Sequence, residues 1–372
     1  MRLFIALLLV AVALPAAALN TTYIVQPYHP NAKNVPVANG GGTADTPWIS
    51  PSYAVAQITG NNDTILIYPG NPGSDSAYYN DYIDYSGETI SFVGVSVWCD
   101  SPTFTRNGPI FFYYVSGNKG NIANTRISGF RFYNCRTTNR VINLFAETLD
   151  GFTFDQNIAD SITATGDLYS NGVIGVCKYY NTDTADSVTI ANNVFYGLRN
   201  TSAIYVNNNA NSCTIGLYVY NNTFRDVVAP ICFYWNSNNT EQVVLDMCDC
   251  IIDSANEQFY IYSAGSKGIM YHSTRYTDIY NVKTDSYIFM TPAFMQIAYS
   301  NNYNVNPQWK SNDRYCYLAD TSPLLTTPYS SSTGGLIGVL WGGTFTPYIA
   351  PMVGGAPPAT RFMQFLLRGR YR

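Results

Sequence analysis

Apolar and polar residues alternate in short runs along most of the chain, and one run returns with its turn attached. The segment VTIANNVFYGL, residues 188–198, is followed about thirty residues later by LYVYNNTFRDV, residues 217–227. Alternation over four to six residues is typical of a β-strand with one buried face. The paired asparagines predict a sharp bend, because Asn tolerates left-handed backbone and its amide bonds to its own turn and to an Asn stacked above or below.

Two interleaved series of strands extend this repeat over much of the chain. The first series has register residues Phe132, Phe154, Ile190, Val219, Leu245 and Tyr271. The second has Val141, Ile174, Ile204, Cys232, Phe259 and Tyr287. A unit of two or three short strands cannot bury a core alone, so we predict that successive units stack as a solenoid. The alternative is an antiparallel sandwich with Asn-rich hairpins, which rarely keeps such a repeat for six cycles.

Three further segments carry a resemblance to a known family. They are GGTADTPWISPSYAVAQITGNNDTILIYPGN (41–71), SGETISFVGVS (86–96) and NPQWKSNDRYCYLADTSPLLTTPYSSSTGGLIG (306–338). They are similar to the entry segment, first coil and exit of right-handed parallel β-helix proteins, the pectate-lyase-like family. The resemblance implies an all-β, single-stranded right-handed parallel β-helix solenoid with a short N-terminal capping helix over residues 50–58. It implies no single activity, because this fold serves lyases, hydrolases, epimerases, adhesins and viral spikes.

The ends of the chain differ from its middle. Arg2 precedes an apolar run over 3–14, followed by Pro15 and small residues at 16–18, which is the layout of a secretory signal. A membrane anchor is the alternative, but the run is shorter than the roughly 20 residues that span a bilayer. We therefore predict a signal peptide at 1–19, an extended lead at 20–49, a β-helix domain at 50–338 and a Gly/Pro-rich extension at 339–372. The basic end of that extension is either a docking tail or a segment packed along the solenoid.

Composition limits the classes of partner. Only 12% of the 372 residues are charged and the net charge is −4, which argues against nucleic acid as a partner. Eight cysteines in a chain predicted to be exported permit disulfides, although several could be small buried hydrophobes instead. A zinc site is not expected, since the chain has two histidines and its closest cysteine pair, Cys248 and Cys250, is C-x-C.

Outward positions next to the first series suggest a binding face. Side chains alternate along a strand and coils stack about 4.8 Å apart, so these positions form ladders. The ladders would offer Asp155, Tyr218, Tyr220, Asp246 and His272 on one face. Carboxylates beside aromatic rings suit a polysaccharide, because they accept bonds from hydroxyls and cover the apolar faces of sugars. The same residues would also be ordinary solvated strand residues.

The second series contains more aromatic residues, which could form either core or an exposed binding surface. We expect half of its aromatic residues to form core. The outward half, with Tyr205, Phe233, Tyr260 and Trp235 as candidates, would form an exposed apolar strip of the kind that marks a glycan or protein partner.

No catalytic residue can be assigned from the sequence. Lyases of the resembled family hold calcium with clustered Asp and use Arg or Lys as the base, whereas its hydrolases use paired Asp. The local candidates are Asp246 with Asp249, Asp183 with Asp186, and Arg225, Lys267 and Arg275. None lies in a recognisable motif, so we predict no resident cofactor and leave only calcium open. His272 is either a base beside Arg275 or a bystander.

Two functions follow from these observations. One is an exported protein, secreted or at the cell surface, that recognises a polysaccharide or cell-surface glycan along one stacked-sheet face, with cleavage an open question. The other is a non-catalytic surface or structural protein, an adhesin, envelope or spike component, assembling as a homo-oligomer or through its C-terminal tail. We predict no stable transmembrane segment, because the N-terminal run is too short and no other segment is apolar enough to span a bilayer.

Overall fold

A computed structural model describes most of the chain between residues 21 and 325. The described ranges are 21–59, 62–70, 78–86, 88–95, 101–114, 120–166, 171–178, 185–208, 214–235, 242–263, 269–288, 294–310, 316, 318–319 and 321–325. The predicted signal peptide and the extension at 339–372 lie outside these ranges.

Three long parallel sheets make up the described chain. Sheet A contains β1 (Thr22–Val25), β2 (Asp63–Ile67), β5 (Ile90–Gly94), β8 (Arg126–Ser128), β12 (Phe152–Asp155), β16 (Ala185–Ala191), β19 (Thr214–Tyr220), β22 (Gln242–Cys248), β25 (Ile269–Arg275) and β28 (Phe294–Ser300). Sheet B contains β3 (Tyr78–Tyr79), β6 (Thr103–Phe104), β9 (Arg131–Tyr133), β13 (Ile158–Asp160), β17 (Val194–Tyr196), β20 (Thr223–Arg225), β23 (Ile251–Asp253) and β26 (Asp278–Tyr280). Sheet C contains β4 (Ile83–Asp84), β7 (Phe111–Tyr114), β11 (Arg140–Ala146), β15 (Gly172–Lys178), β18 (Ser202–Asn208), β21 (Ile231–Trp235), β24 (Glu257–Ser263) and β27 (Thr284–Ile288). The short strands β10 (Arg136–Thr137) and β14 (Thr163–Ala164) pair with each other.

The chain visits sheets A, B and C in turn and then returns to sheet A one coil further along. Neighbouring strands within each sheet therefore belong to successive coils, and their ladders are parallel. This arrangement is a parallel β-solenoid, which confirms the predicted fold class and excludes the antiparallel sandwich.

The core runs along the inside of the column. Sheet A contributes Ile127, Phe154, Ile190 and Val219 in one register row, all buried. Sheet B adds stacked aromatic rings, of which Phe195 and Phe224 lie 5.2 Å apart and nearly parallel. Each coil thus buries its apolar face against the coil above and below, as the alternation predicts.

The corner between sheets A and B explains the repeated asparagines. The first residue of each corner has left-handed backbone, with φ of 56° at Asn192 and 51° at Asn221. The second residue points inward, and its amide joins two coils. Asn193 Nδ2 donates to the carbonyl oxygen of Phe154 at 3.0 Å, and Asn193 Oδ1 accepts from the backbone of Asn157 at 2.9 Å. We call the buried row Asn157, Asn193, Asn222 the asparagine ladder.

The N-terminal end of the column carries the predicted helix. The helix α1 (Pro51–Gln57) begins after Ser50, whose Oγ accepts from the backbone of Tyr53 at 3.2 Å. Proline in its first turn is favourable, because Pro lacks the N–H that would be unpaired there. Ala54 and Val55 are buried and join the main core, so α1 covers the first coil. A short 3-10 helix, Val37–Asn39, and strand β1 lie within the predicted lead.

The last described segment crosses the outside of sheet B. Trp309 and Cys316 pack against Ile158 and Val194 of sheet B. The end of this segment, including the 3-10 helix Pro323–Leu325, packs against Ile251. The segment that covers this face belongs to residues 306–338, the sequence that resembles the exit of the family.

Part of the predicted register was wrong. In sheet A, Val219 is level with Met247 and Thr274, rather than with Leu245 and Tyr271. In β25 the inward residues include the polar His272 and Thr274. The assumption that inward residues are apolar therefore assigned Tyr271 to the wrong face. Phe132 belongs to sheet B, since β9 pairs with β13.

In sheet C, the register was wrong by one residue at three positions. Ile142, Ile231 and Ser286 occupy the rows that were predicted for Val141, Cys232 and Tyr287. In β11 and β21, most residues on both faces are apolar and buried, so alternation gives no direction there. Tyr205 and Tyr260 do point outward with Cys232, but they are buried rather than exposed, and Phe233 points inward with Val206. The side chain of Trp235 is not among those that the structure describes.

The described cysteines behave as small hydrophobes. Cys135, Cys177, Cys232 and Cys250 are buried free thiols. Burial raises the pKa of the Cys135 thiol to about 11, so this thiol stays protonated and unreactive at neutral pH. Cys99 and Cys213 lie outside the described residues.

Candidate functional site

The outer face of sheet A brings together four of the five predicted residues. One outward row runs through Thr153, Thr189, Tyr218, Asp246 and Ser273. The row beside it runs through Asp155, Ala191, Tyr220, Cys248 and Arg275. Alternation places both rows outside, because the residues between them fill the core. We call the two rows together the sheet A outer face.

Asp246 is the centre of the densest cluster on this face. Arg275 holds it with two bonds, from Nε to Oδ1 at 3.3 Å and from Nη2 to Oδ2 at 2.9 Å. The hydroxyl of Tyr220 donates to Oδ2 at 3.1 Å. Both carboxylate oxygens of Asp246 are thus occupied, and the fork geometry of Arg fixes the orientation of the group.

Two tyrosine rings stand next to this carboxylate. Tyr218 and Tyr220 have ring centroids 6.1 Å apart, with planes inclined at 39°. Both are partly buried, and burial followed by the charge of Asp246 raises the pKa of each hydroxyl. The phenols are therefore neutral at physiological pH and present an apolar ring with one polar tip.

A second ion pair, Arg126 with Asp155, lies on the same face two coils from Tyr220. Arg126 Nε donates to Asp155 Oδ1 at 2.7 Å, and Nη2 donates to Oδ2. Between Asp155 and Tyr220 lies only Ala191, so the separation along the row is roughly 10 Å. Thr189 lies beside Ala191 in the neighbouring row. Small side chains thus form a shallow floor between one ion pair and the tyrosine rings.

The fifth predicted residue, His272, lies inside the solenoid. It is level with Leu245 in the core, and its ring centroid lies 4.3 Å from that of Phe259. Burial lowers its pKa to about 3. This imidazole is neutral at physiological pH and does not reach the sheet A outer face, contrary to the predicted outward orientation.

The other candidate bases and acids are placed elsewhere. Arg225 lies over the rings of Tyr196 and Trp309 on the covered face of sheet B. Asp186 is buried inside the column with Lys178, and Asp249 occupies a left-handed corner position. Asp183 and Lys267 lie outside the described residues.

Sequence reasoning missed the role of two arginines. Arg275 was considered as a partner of His272 but pairs with Asp246, and Arg126 was not considered. Both pairings could have been found with the correct register, because each arginine lies one coil from its carboxylate and one row across.

A pair of carboxylates lies beneath the segment that crosses sheet B. Asp253 accepts from the indole Nε1 of Trp309, and Asp278 accepts from the backbone of Val305 at 2.9 Å. Asp278 is fully buried, and its Oδ2 has no hydrogen-bond partner. Burial, reinforced by the charge of Asp253, raises the pKa of Asp278 to about 7. These carboxylates hold the segment and are not open to a substrate.

Replacing Asp278 tests this environment. In the wild type, the unfolded chain ionises this group near pH 4 and the folded chain only near pH 7, so its contribution to stability falls as the pH rises between these values. We expect Asp278→Asn to change the free energy of unfolding little at pH 4 and to raise it by up to about 4 kcal/mol at pH 8. Urea unfolding at both pH values measures this, with the exposed Asp45→Asn as control. Equal effects of Asp278→Asn at the two pH values would contradict the assignment.

The described residues contain neither a cluster of metal ligands nor a membrane-spanning helix. Within the described ranges, no three His, Cys, Asp or Glu side chains cluster as metal ligands. The same ranges contain no helix with the length and apolarity needed to cross a bilayer. Comparison with known proteins gives no match to any family model, curated protein or solved structure. The fold is thus established by the structure, and the likeness to pectate-lyase-like proteins stays a resemblance.

Proposed function

We propose that the protein is a carbohydrate-binding β-solenoid that recognises a polysaccharide along the sheet A outer face. The observation that carries this proposal is the pair Tyr218 and Tyr220 beside the Asp246–Arg275 ion pair. Sugar rings have an apolar face that packs on aromatic rings and hydroxyls that bond to carboxylates and guanidinium groups. The rings of Tyr218 and Tyr220 and the partly exposed guanidinium of Arg275 offer an aromatic and a polar contact side by side, and the buried Asp246 orients that guanidinium.

The stacking of coils supports an extended ligand rather than a single sugar. The floor of Thr189 and Ala191 joins the tyrosine rings to the Arg126–Asp155 pair, two coils further along. A chain of several sugars laid along the column would meet the rings first and the second ion pair at its far end. Predicted export through the N-terminal leader would bring the protein to extracellular glycans.

The same geometry supports binding without cleavage on this face. Glycoside hydrolysis needs one carboxylic acid that donates a proton and one carboxylate that attacks or activates water. Asp155 and Asp246 are each held by two bonds from an arginine, so both oxygens of each carboxylate already have a partner. Neither carboxylate is therefore free to contact the oxygen of a glycosidic bond.

A glycan array of plant, fungal and microbial polysaccharides tests the proposal, with the full chain as the probe protein. We expect binding to at least one class, followed by at least a tenfold loss of affinity for its oligosaccharide in Tyr218→Ala, about 1.4 kcal/mol or more. Tyr28→Ala is the matched control, because Tyr28 is 58% exposed and lies in the N-terminal segment. Isothermal titration calorimetry measures both variants.

Two outcomes of this experiment would count against the proposal. If the protein binds no polysaccharide on the array, the alternative, a non-catalytic surface or structural protein, is favoured. Equal affinity of Tyr218→Ala and the wild type would move any binding away from this face. Chromatography of the bound oligosaccharide after incubation checks cleavage, and we expect no shorter product.

A further inference from the structure

A polar groove crosses the turns between sheets B and C, away from the sheet A outer face. Its volume is about 550 Å³. Its polar walls come from Arg199, Asp226, Ser254, Asn256, Asn281 and Lys283. The buried side chains of Leu198 and Val227 form part of its floor. The groove belongs to no site described above.

Successive coils build this groove one turn at a time. Each turn places a residue with left-handed backbone at its apex, including Asp226, Ser254 and Asn281. The turns are tied by backbone bonds such as that from Leu198 to Asp226 at 3.0 Å and that from Lys283 to Ala255 at 3.1 Å. The groove therefore runs along the column, with a repeat equal to the coil spacing of about 4.8 Å.

Two cations stand at opposite ends of the groove. Arg199 and Lys283 are exposed, and neither is within ion-pair distance of a carboxylate in the described part of the chain. Three coil steps separate them, which is roughly 14 Å. Lys283 is steadied by a bond from Nζ to Asn256 Oδ1 at 2.6 Å. The residues that line the groove carry two cations and one carboxylate, Asp226. Glu257, next to the lining residue Asn256, also interacts with the charge of Lys283.

We propose that this groove binds an acidic oligosaccharide lying along the column, with Arg199 and Lys283 each contacting a carboxylate or sulfate group. The amide and hydroxyl groups between the cations, including Asn281 Nδ2 bonded to Ser254 Oγ at 3.1 Å, match the hydroxyls of the intervening sugars. A unit repeat along a glycan is similar to the coil spacing, so successive sugars would meet equivalent positions.

Other extended anions fit this groove less well. Its described lining contains no aromatic side chain, so it offers no platform for stacking nucleic-acid bases. An acidic peptide would need a free strand edge to add to. The backbone groups at these turns are instead bonded between coils.

Calorimetric titration of the full chain with three hexasaccharides tests the proposal. The probes are a hyaluronan hexasaccharide with carboxylates, a heparin hexasaccharide with sulfates, and neutral chitohexaose. We expect at least one acidic probe to bind, with an affinity that falls as salt increases, and chitohexaose to bind at least tenfold more weakly. Binding of the hyaluronan probe, whose only charged groups are carboxylates, assigns carboxylate recognition, whereas binding of the heparin probe alone shows that sulfate is required.

Matched variants place the binding in the groove. Arg199→Gln with Lys283→Gln should weaken the acidic probe at least tenfold, whereas Lys33→Gln, at an exposed N-terminal lysine, should not. Tyr218→Ala should leave this binding unchanged, which separates it from the function proposed for the sheet A outer face. Poly-glutamate, titrated in the same way, is the control for an acidic peptide. The proposal is overturned if neither acidic hexasaccharide binds, if chitohexaose or poly-glutamate binds equally well, or if the groove variant and Lys33→Gln bind the acidic probe with equal affinity.

Discussion

Lys178→Met is expected to lower the free energy of unfolding by about 3–5 kcal/mol. Lys178 and Asp186 lie inside the column, where Nζ donates to Oδ2 at 2.8 Å, and both side chains are almost fully buried. Asp186 Oδ2 also accepts from the backbone of Leu149 at 3.0 Å. Removing the lysine leaves a carboxylate in the core without its counter-charge, which costs much more than the loss of one surface ion pair.

A second variant separates charge from packing. Lys178→Met combined with Asp186→Asn removes the unpaired charge and keeps an oxygen that can accept from Leu149. We expect the double variant to recover at least half of the lost stability, measured by urea unfolding and far-ultraviolet circular dichroism. A loss below about 1 kcal/mol in Lys178→Met would show that water reaches this pair, since exposed pairs contribute that little.

Asn193→Ala is expected to cost about 3–5 kcal/mol, because one side chain serves three coils. Its Oδ1 accepts from the backbone of Asn157, and its Nδ2 donates both to the Phe154 carbonyl and to Asn222 Oδ1. Alanine leaves the Asn157 N–H without its acceptor in a dry core, at about 1–3 kcal/mol for each unpaired group, and adds a cavity.

The adjacent asparagine provides the control for this prediction. Asn192 has left-handed backbone and its side chain is partly exposed. Asn192→Gly keeps that conformation accessible, so we expect a change within about 0.5 kcal/mol. Similar losses from Asn192→Gly and Asn193→Ala would mean that the backbone bend, rather than the buried amide row, holds the corner. Urea unfolding distinguishes the two results.

The fold and the corner could be predicted from the sequence because both depend on local pattern. Alternation in sheet A has one buried face, so it correctly places Asp155, Tyr218, Tyr220 and Asp246 outside. The corner needs only a first residue that accepts left-handed backbone, such as Asn192 or Asn221, and the amide chemistry of the buried Asn that follows it.

The remaining features depend on register between coils, which pattern alone does not fix. The polar His272 faces the core, where an apolar side chain is the default. The ion pair of Arg275 with Asp246 exists only once β22 and β25 are aligned. In sheet C, β11 and β21 are mostly apolar and buried on both faces, so their alternation does not show which face is the core. The groove at the B-to-C turns arises from backbone geometry and leaves no hydrophobic signature.

From β8 onward, the corner between sheets A and B has a constant length. Two residues separate β12 from β13, β16 from β17, β19 from β20, β22 from β23 and β25 from β26. The connections into and out of sheet C vary instead. From β8 to β26, the A-to-B corner of the cross-section is thus invariant in length, and extra residues are confined to the other two corners. A solenoid of this design can lengthen by whole repeats, or acquire larger loops at those two corners, without changing the register of the repeats already present.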